Sequence, residues 1–178
     1  MHGTHSGTES ALGAYLPSLG PESRIELFVQ TLAPTENYES QGQLVELLTE
    51  LREREQLGDV SVTVWGSRIC TEGALSGLDS GKHIVDSIGE FFAFAADEGV
   101  TISPFFRVRD VDSSMSGQSF KSIVPPSRCT AMYEGEQLVG VFPCIIDGES
   151  YTVRDALEQV GRRSEASQEH LPGTLPTE

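Results

Sequence analysis

A chain of 178 residues with 38% hydrophobic content suits one domain with a sizeable core flanked by tails, and two domains would be cramped. Its charge is lopsided, 27 acidic residues against 12 basic, and a net charge of -15 repels phosphate backbones and anionic membranes at moderate ionic strength. The longest apolar runs fall far short of a membrane span and no charged-then-apolar leader opens the chain, so a soluble cytoplasmic protein with no membrane partner is expected.

Residues 1–22 mix Gly, Ser, Thr, His, Glu and Pro with isolated Leu and Tyr, too little apolar surface to offset chain entropy, and read as a disordered tail. His2 and His5 lack the ligand count and supporting partners of a metal site, so no metal is expected. A single α/β domain is assigned to residues 23–163. Arg24 to Leu32, with Ile25, Leu27 and Val29 alternating around Phe28, reads as a buried strand. Leu44, Leu47, Leu48 and Leu51 follow at helical spacing and predict an amphipathic helix from Glu39 to Gln56, stopped by Gly58.

Val60 to Trp65 is β-branched with period two, a second strand. Residues 66–81 form a glycine-rich loop, and Ile84, Ile88, Phe91, Phe92 and Ala95 mark a second helix, capped by Asp79 or Ser80 and ended by Gly99. Val100 to Val111 contains Phe105-Phe106-Arg107-Val108-Arg109, an extended segment that reads as a third strand bent at its start by Pro104, and Phe120 to Val124 pairs back against it. Pro125 and Pro126 then feed a hairpin turning at Glu134-Gly135-Glu136, and Thr152 opens a short last helix. Residues 164–178 read as a second disordered tail.

The expected fold class is α/β, a three-layer or two-layer sandwich around a central mixed sheet, with elements in the order β-α-β-α-β-(β)-β-β-α. This order, with a proline just before the penultimate strand, resembles the thioredoxin fold from Ile25 to Val160, with residues 100–124 as an insertion. The resemblance implies a cis-proline at Pro125 or Pro126. It also implies a Cys-x-x-Cys motif between the first strand and first helix, where a helix amino end lowers a thiol's pKa. That place reads Ala33-Pro34-Thr35-Glu36-Asn37-Tyr38, without cysteine, so dithiol exchange by that route is not available.

The whole chain also resembles a group of small acidic proteins of salt-loving archaea, some of which carry a generic helix-turn-helix label. The stretches that carry this likeness are Ile-Glu-Leu-Phe-Val, Val-Thr-Val-Trp-Gly-Ser-Arg, Pro-Phe-Phe-Arg-Val-Arg, Gly-Val-Phe-Pro-Cys and Tyr-Thr-Val-Arg-Asp-Ala-Leu-Glu. The group supplies no catalytic residues. The acidity itself has two readings, a partner with a basic surface or adaptation of the whole surface to a salt-loaded cytoplasm. The scatter of the carboxylates and the presence of only Lys82 and Lys121 as lysines favour the second.

Cys70, Cys129 and Cys144 are odd in number, lack metal or redox spacing and adjoin apolar runs, which reads as buried free thiols. Trp65, Arg68, Arg107 and Arg109 are the candidate ligand-binding set. Arginine forks grip carboxylate or phosphate, an aromatic ring can stack beside them, and Arg107 and Arg109 share a strand face. The alternative is that these arginines pair with surface carboxylates and that Trp65 belongs to the core. His83 reads as a surface residue, and Gly81-Lys82-His83 lacks the ending of a phosphate loop.

The leading reading is a non-catalytic binding or regulatory module, with no cofactor, whose partner is a protein or a small anionic ligand. Its first rival is a DNA-binding protein of the helix-turn-helix class. Glu39, Glu46, Glu50, Glu53 and Glu55 on the first helix, and the strands flanking both long helices, count against it. A single-thiol enzyme using Cys129 or Cys144 is the second rival.

Overall fold

The computed structural model describes residues 11–33, 38–71, 79–112 and 114–169. Strand β1 (Ser23–Val29) is the most thoroughly desolvated strand that the apolar run builds, with only Arg24 partly exposed. Strand β2 (Asp59–Val64) lies beside it in the same direction, pairing Ile25 with Val60 and Val29 with Val64. Parallel neighbours need a crossover. Helix α2 (Tyr38–Glu53) provides it and buries Leu44, Leu48 and Leu51 along one stripe.

The chain continues through β3 (Ile69–Cys70), α3 (Asp79–Glu98), a 3-10 turn at Ser103–Phe105, β4 (Arg107–Asp112) and β5 (Ser119–Val124). Then follow β6 (Arg128–Glu134), β7 (Gln137–Phe142), β8 (Cys144–Ile146), β9 (Glu149–Tyr151) and α4 (Val153–Glu169). The main sheet is mixed, in the order β2-β1-β6-β7, with β6 antiparallel to both β1 and β7. Phe28 points to the face covered by α3, where its ring meets Phe91 edge-on at 5.5 Å. Ile25, Leu27 and Val29 point the other way and are equally buried, and the helices left to cover them, α2 and α4, pack on each other. Each such side chain contributes roughly 1.5–3 kcal/mol of burial free energy.

Several local signals act as the residues dictate. Gly135 takes a φ of 61° in the two-residue turn closed by Glu134 and Gln137, a left-handed position that suits glycine. Thr152 and Asp155 cap α4 reciprocally: the Asp155 amide donates to Thr152 Oγ1 at 3.2 Å and the Thr152 amide to Asp155 Oδ2 at 2.8 Å. Gly99, at φ 69°, ends α3 while the Val100 amide donates to Ala95 O at 3.0 Å. The cap expected for α3 at Asp79 or Ser80 lies outside the residues whose side chains are described.

Five expectations need correction. Residues 11–22 are no tail. Helix α1 (Ala11–Tyr15) buries Leu12, and Leu16 just beyond it, in the core; Arg163 of α4 donates to the Gly13 and Leu16 carbonyls. A five-residue helix has no stability of its own, so only these tertiary partners account for it. At the other end α4 runs on to Glu169, past the boundary set at 163, whereas residues 1–10 and 170–178, with His2 and His5, lie outside the described residues. Helix α2 ends at Glu53 and Glu55, not Gly58, takes the left-handed φ of 56°. Gly58 serves a different need, since a Cβ there would stand 2.1 Å from Pro21 O.

The third strand does not enter the main sheet. Arg-Val-Arg-Asp-Val-Asp has too many charges to be covered on both faces, and β4 pairs with β5 in a separate sheet of order β3-β5-β4. Finally, the cis peptide among the described residues is Phe142–Pro143, and neither Pro125 nor Pro126 is cis. The proline pair instead spans the passage from β5 in one sheet to β6 in the other, an extended link that paired trans prolines favour. Gln30 holds it by donating from Nε2 to Pro125 O at 3.1 Å.

Candidate functional site

β1 and β2 run in the same direction, so their carboxyl ends, Val29 and Val64, are neighbours, and Arg128 at the start of antiparallel β6 pairs with Val29. Crevices at this end of an open α/β sheet are where ligands bind most often, because the strands stop and the crossover helices begin there. Here the space is a cleft of about 430 Å³ lined by Leu44 of α2, Pro126, Ser127 and Arg128 leading into β6, Pro143 after β7, and Thr152, Val153 and Arg154 opening α4. Its walls are largely apolar, with two arginines at them and the amino end of a 17-residue helix. That helix end carries a positive partial charge. Arg154 is held in place by Gln43, donating to its Oε1 at 2.5 Å, and lies 3.9 Å from Glu158. Such a site favours a ligand with an apolar body and an anionic group.

The residues singled out from the sequence divide. Trp65 is core: its ring stacks on Phe28 at 4.9 Å and meets Phe106 edge-on at 5.8 Å. Arg68, Arg107 and Arg109 are exposed, and none of them makes an ion pair among the described residues. The tryptophan therefore leaves the set, while the arginines, expected as an alternative to be paired with carboxylates, stay open to solvent.

Cys129 and Cys144 are buried, but Cys70 is exposed on the edge strand β3, contrary to expectation. Burial pushes the Cys144 thiol up to about 12 and holds Cys129 well above its ordinary value, the latter with help from Cys144 and Glu26. Both therefore stay protonated at neutral pH, which deprives an attacking thiolate of its charge. Burial also pushes Tyr133 up to about 12, with Glu90 and Glu26 adding to the shift and Arg24, 3.8 Å above the ring, opposing it.

One constellation was missed. Glu26, in the middle of β1, is buried and accepts from Thr63 Oγ1 at 2.6 Å, with His83 Nε2 at 2.7 Å from the same oxygen. His83 stacks over Phe28 at 6.3 Å while about half of its side chain remains exposed. The available signal was a lone carboxylate within the apolar run Ile25 to Val29, because such a group must find donors when buried. Among the described residues no cluster of three or more His, Cys, Asp or Glu side chains is arranged to hold a metal ion.

The sequence model of a family described as a helix-turn-helix domain matches residues 19–165. The chain belongs to that family. No curated protein and no solved structure matches it. In this helix-turn-helix family member at least one strand separates each described α-helix from the next, with the 3-10 turn at Ser103–Phe105 lying between α3 and β4, so no two consecutive α-helices form a turn-linked pair among the described residues. The exposed residues of α2 and α3 include Glu46, Glu50, Glu53, Asp86, Glu90, Asp97 and Glu98. Among the described residues no helix is long and apolar enough to cross a membrane.

Proposed function

We propose that the protein is a non-catalytic binding or regulatory module of a salt-adapted cytoplasm, with a thioredoxin-like order of elements and no redox dithiol. Its ligand is a small anion with an apolar portion, seated in the cleft between Pro126–Arg128, Pro143 and the start of α4. The observation that carries this reading is the cleft itself: Arg128, Arg154 and a helix amino end converge on apolar walls in a chain of net charge -15. The parallel β1-β2 pair, the hairpin β6-β7 beside it and the closing helix α4 support the likeness in fold order. The prolines at the cleft, Pro126 before β6 and Pro143 after β7, shape its floor.

The experiment is a fluorescence titration with 1-anilinonaphthalene-8-sulfonate, an apolar anion. Wild-type protein binds it at one saturable site. Leu44→Trp, which fills the cleft, and Arg128→Gln each weaken binding by about tenfold or more, the equivalent of about 1.4 kcal/mol. Equal affinity in all three proteins overturns the assignment.

The family description favours a second reading, a DNA-binding regulator. It calls for a surface other than the acidic faces of α2 and α3, and it is tested by gel retardation with a pool of duplex sequences in molar potassium chloride. A sequence-selective shift under those conditions supports it, and the absence of any shift counts against it.

A further inference from the structure

A strand that ends a sheet can pair with another chain unless charge, shortness or cover prevents it. Most of the end strands here have such protection. In β7, Leu138 and Gly140 to Phe142 are buried, and α3 packs against the strand. Strand β4 carries Arg107, Arg109, Asp110 and Asp112, whereas β3, β8 and β9 are only two or three residues long. Strand β2 differs. After Asp59 it reads Val-Ser-Val-Thr-Val, and α2 packs beside it but leaves Val62 and Val64 each 44% exposed.

The backbone of β2 is set for such a pairing. The Trp65 amide donates to Val29 O at 2.9 Å, so Trp65 turns its backbone groups toward β1. Along a strand these directions alternate residue by residue, which turns the N–H and C=O groups of Val60, Val62 and Val64 outward. Among the described residues no strand lies on that side.

We propose that this edge joins a second copy of the chain, β2 against β2 in antiparallel sense about a two-fold axis at Val62, so that the two main sheets become one. In this register Val62 faces the copy's Val62 and Val60 faces the copy's Val64, each pair exchanging two backbone hydrogen bonds. The strand is complementary to itself in side chains as well. Its valines share one face and meet valines, while Ser61 meets Thr63 on the other. Asp59, the single charge in the strand, falls opposite Trp65 and not opposite itself, so like charges do not face each other across the pair. A two-fold contact also closes on itself, with neither β2 edge left open to a third chain. The contact is independent of the cleft. One strand from each chain is a small interface, below about 1,200 Å² in total, so the dimer forms and dissociates with concentration. Two chains of net charge -15 repel each other, and molar salt shortens the screening length to about 3 Å.

Sedimentation equilibrium of the full chain in molar potassium chloride, at concentrations up to about 0.5 mM, tests the proposal. The average mass rises with concentration from 19.3 kDa toward twice that value and no further. Val62→Lys sets like charges face to face on the axis and weakens association about tenfold or more, with circular dichroism to check that it folds. The register is read from Val62→Cys and Val64→Cys, each combined with Cys70→Ser to remove the exposed thiol. Under mild oxidation Val62→Cys links two chains, because its Cα atoms lie about 5.5 Å apart across the axis. The Val64→Cys positions lie about 14 Å apart and do not link. This pair of variants decides the matter should Val62→Lys fail to fold. A mass of 19.3 kDa at every concentration, a mass that climbs past two chains, unchanged association in folded Val62→Lys, or equal linking of the two cysteine variants overturns the proposal.

Discussion

Replacing Cys144 by alanine is expected to flatten the alkaline limb of the stability curve. The buried thiol is held at about 12 against an ordinary value of 9.0, so the folded state keeps a proton that the unfolded chain gives up. The sign follows from linkage: the contribution to stability is fully present below pH 9.0, and it is lost as pH rises from there toward 12. Between pH 9 and pH 10 the loss for one thiol is about 1 kcal/mol, and it steepens toward about 1.4 kcal/mol per unit beyond that. This is a visible fraction of a total that is typically about 5–15 kcal/mol. Cys129 adds to the trend in the same direction, and Tyr133 joins only above its ordinary value of 10.0. The assay is urea unfolding at a series of pH values between 8 and 10, comparing wild type with Cys144→Ala. The cavity left by the substitution lowers stability at every pH alike, so the slope, not the offset, carries the information. An identical slope in both proteins would refute the account, as would alkylation of Cys144 in the native protein at pH 8.

Gly58→Ala forces a Cβ to within 2.1 Å of a backbone oxygen, and the strand entry must shift; a loss of about 1–3 kcal/mol in urea unfolding is expected. His83→Ala removes one donor from the buried Glu26 carboxylate while Thr63 remains, so, with the histidine half exposed, a loss of about 1 kcal/mol is expected from the urea midpoint. Arg163→Met leaves the Gly13 and Leu16 carbonyls without this donor, and limited chymotrypsin digestion should then cut at Tyr15 while the main sheet stays intact.

What the sequence made legible was whatever has a local period. The alternation of Ile25, Leu27 and Val29, the valines of β2 and the leucines of α2 each specify an element, and the parallel pairing of β1 with β2 is as expected from the strand-helix-strand order. Asp147-Gly148, both at positive φ, sits between Ile-Ile and Glu-Ser-Tyr as a hairpin turn joining β8 to β9, a signal present in the residues but overlooked. Helix α1 was illegible, because five residues acquire helical structure only through Arg163 and the core. Membership of a sheet was also illegible for β4: its pairing with β5 is local, but which layer it joins depends on whether its charged faces can be covered.

The same divide runs through the candidate sites. The arginines of the small sheet could be placed on one face by strand alternation alone. The cleft could not be foreseen, since Leu44, Pro126, Pro143 and Val153 come from separate elements and none of them is unusual in its own neighbourhood. Glu26 and His83, 57 residues apart, meet only because α3 covers the Phe28 face of β1.

Amide chemical-shift mapping on isotope-labelled protein in molar potassium chloride tests the central claim most directly, by titrating 1-anilinonaphthalene-8-sulfonate and, separately, a pool of duplex DNA. The account predicts that the apolar anion shifts the amides of Leu44, Ser127, Arg128, Val153 and Arg154, and that the duplex pool shifts none of α2 or α3. Shifts concentrated along those helices with DNA, and none at the cleft with the anion, would contradict it.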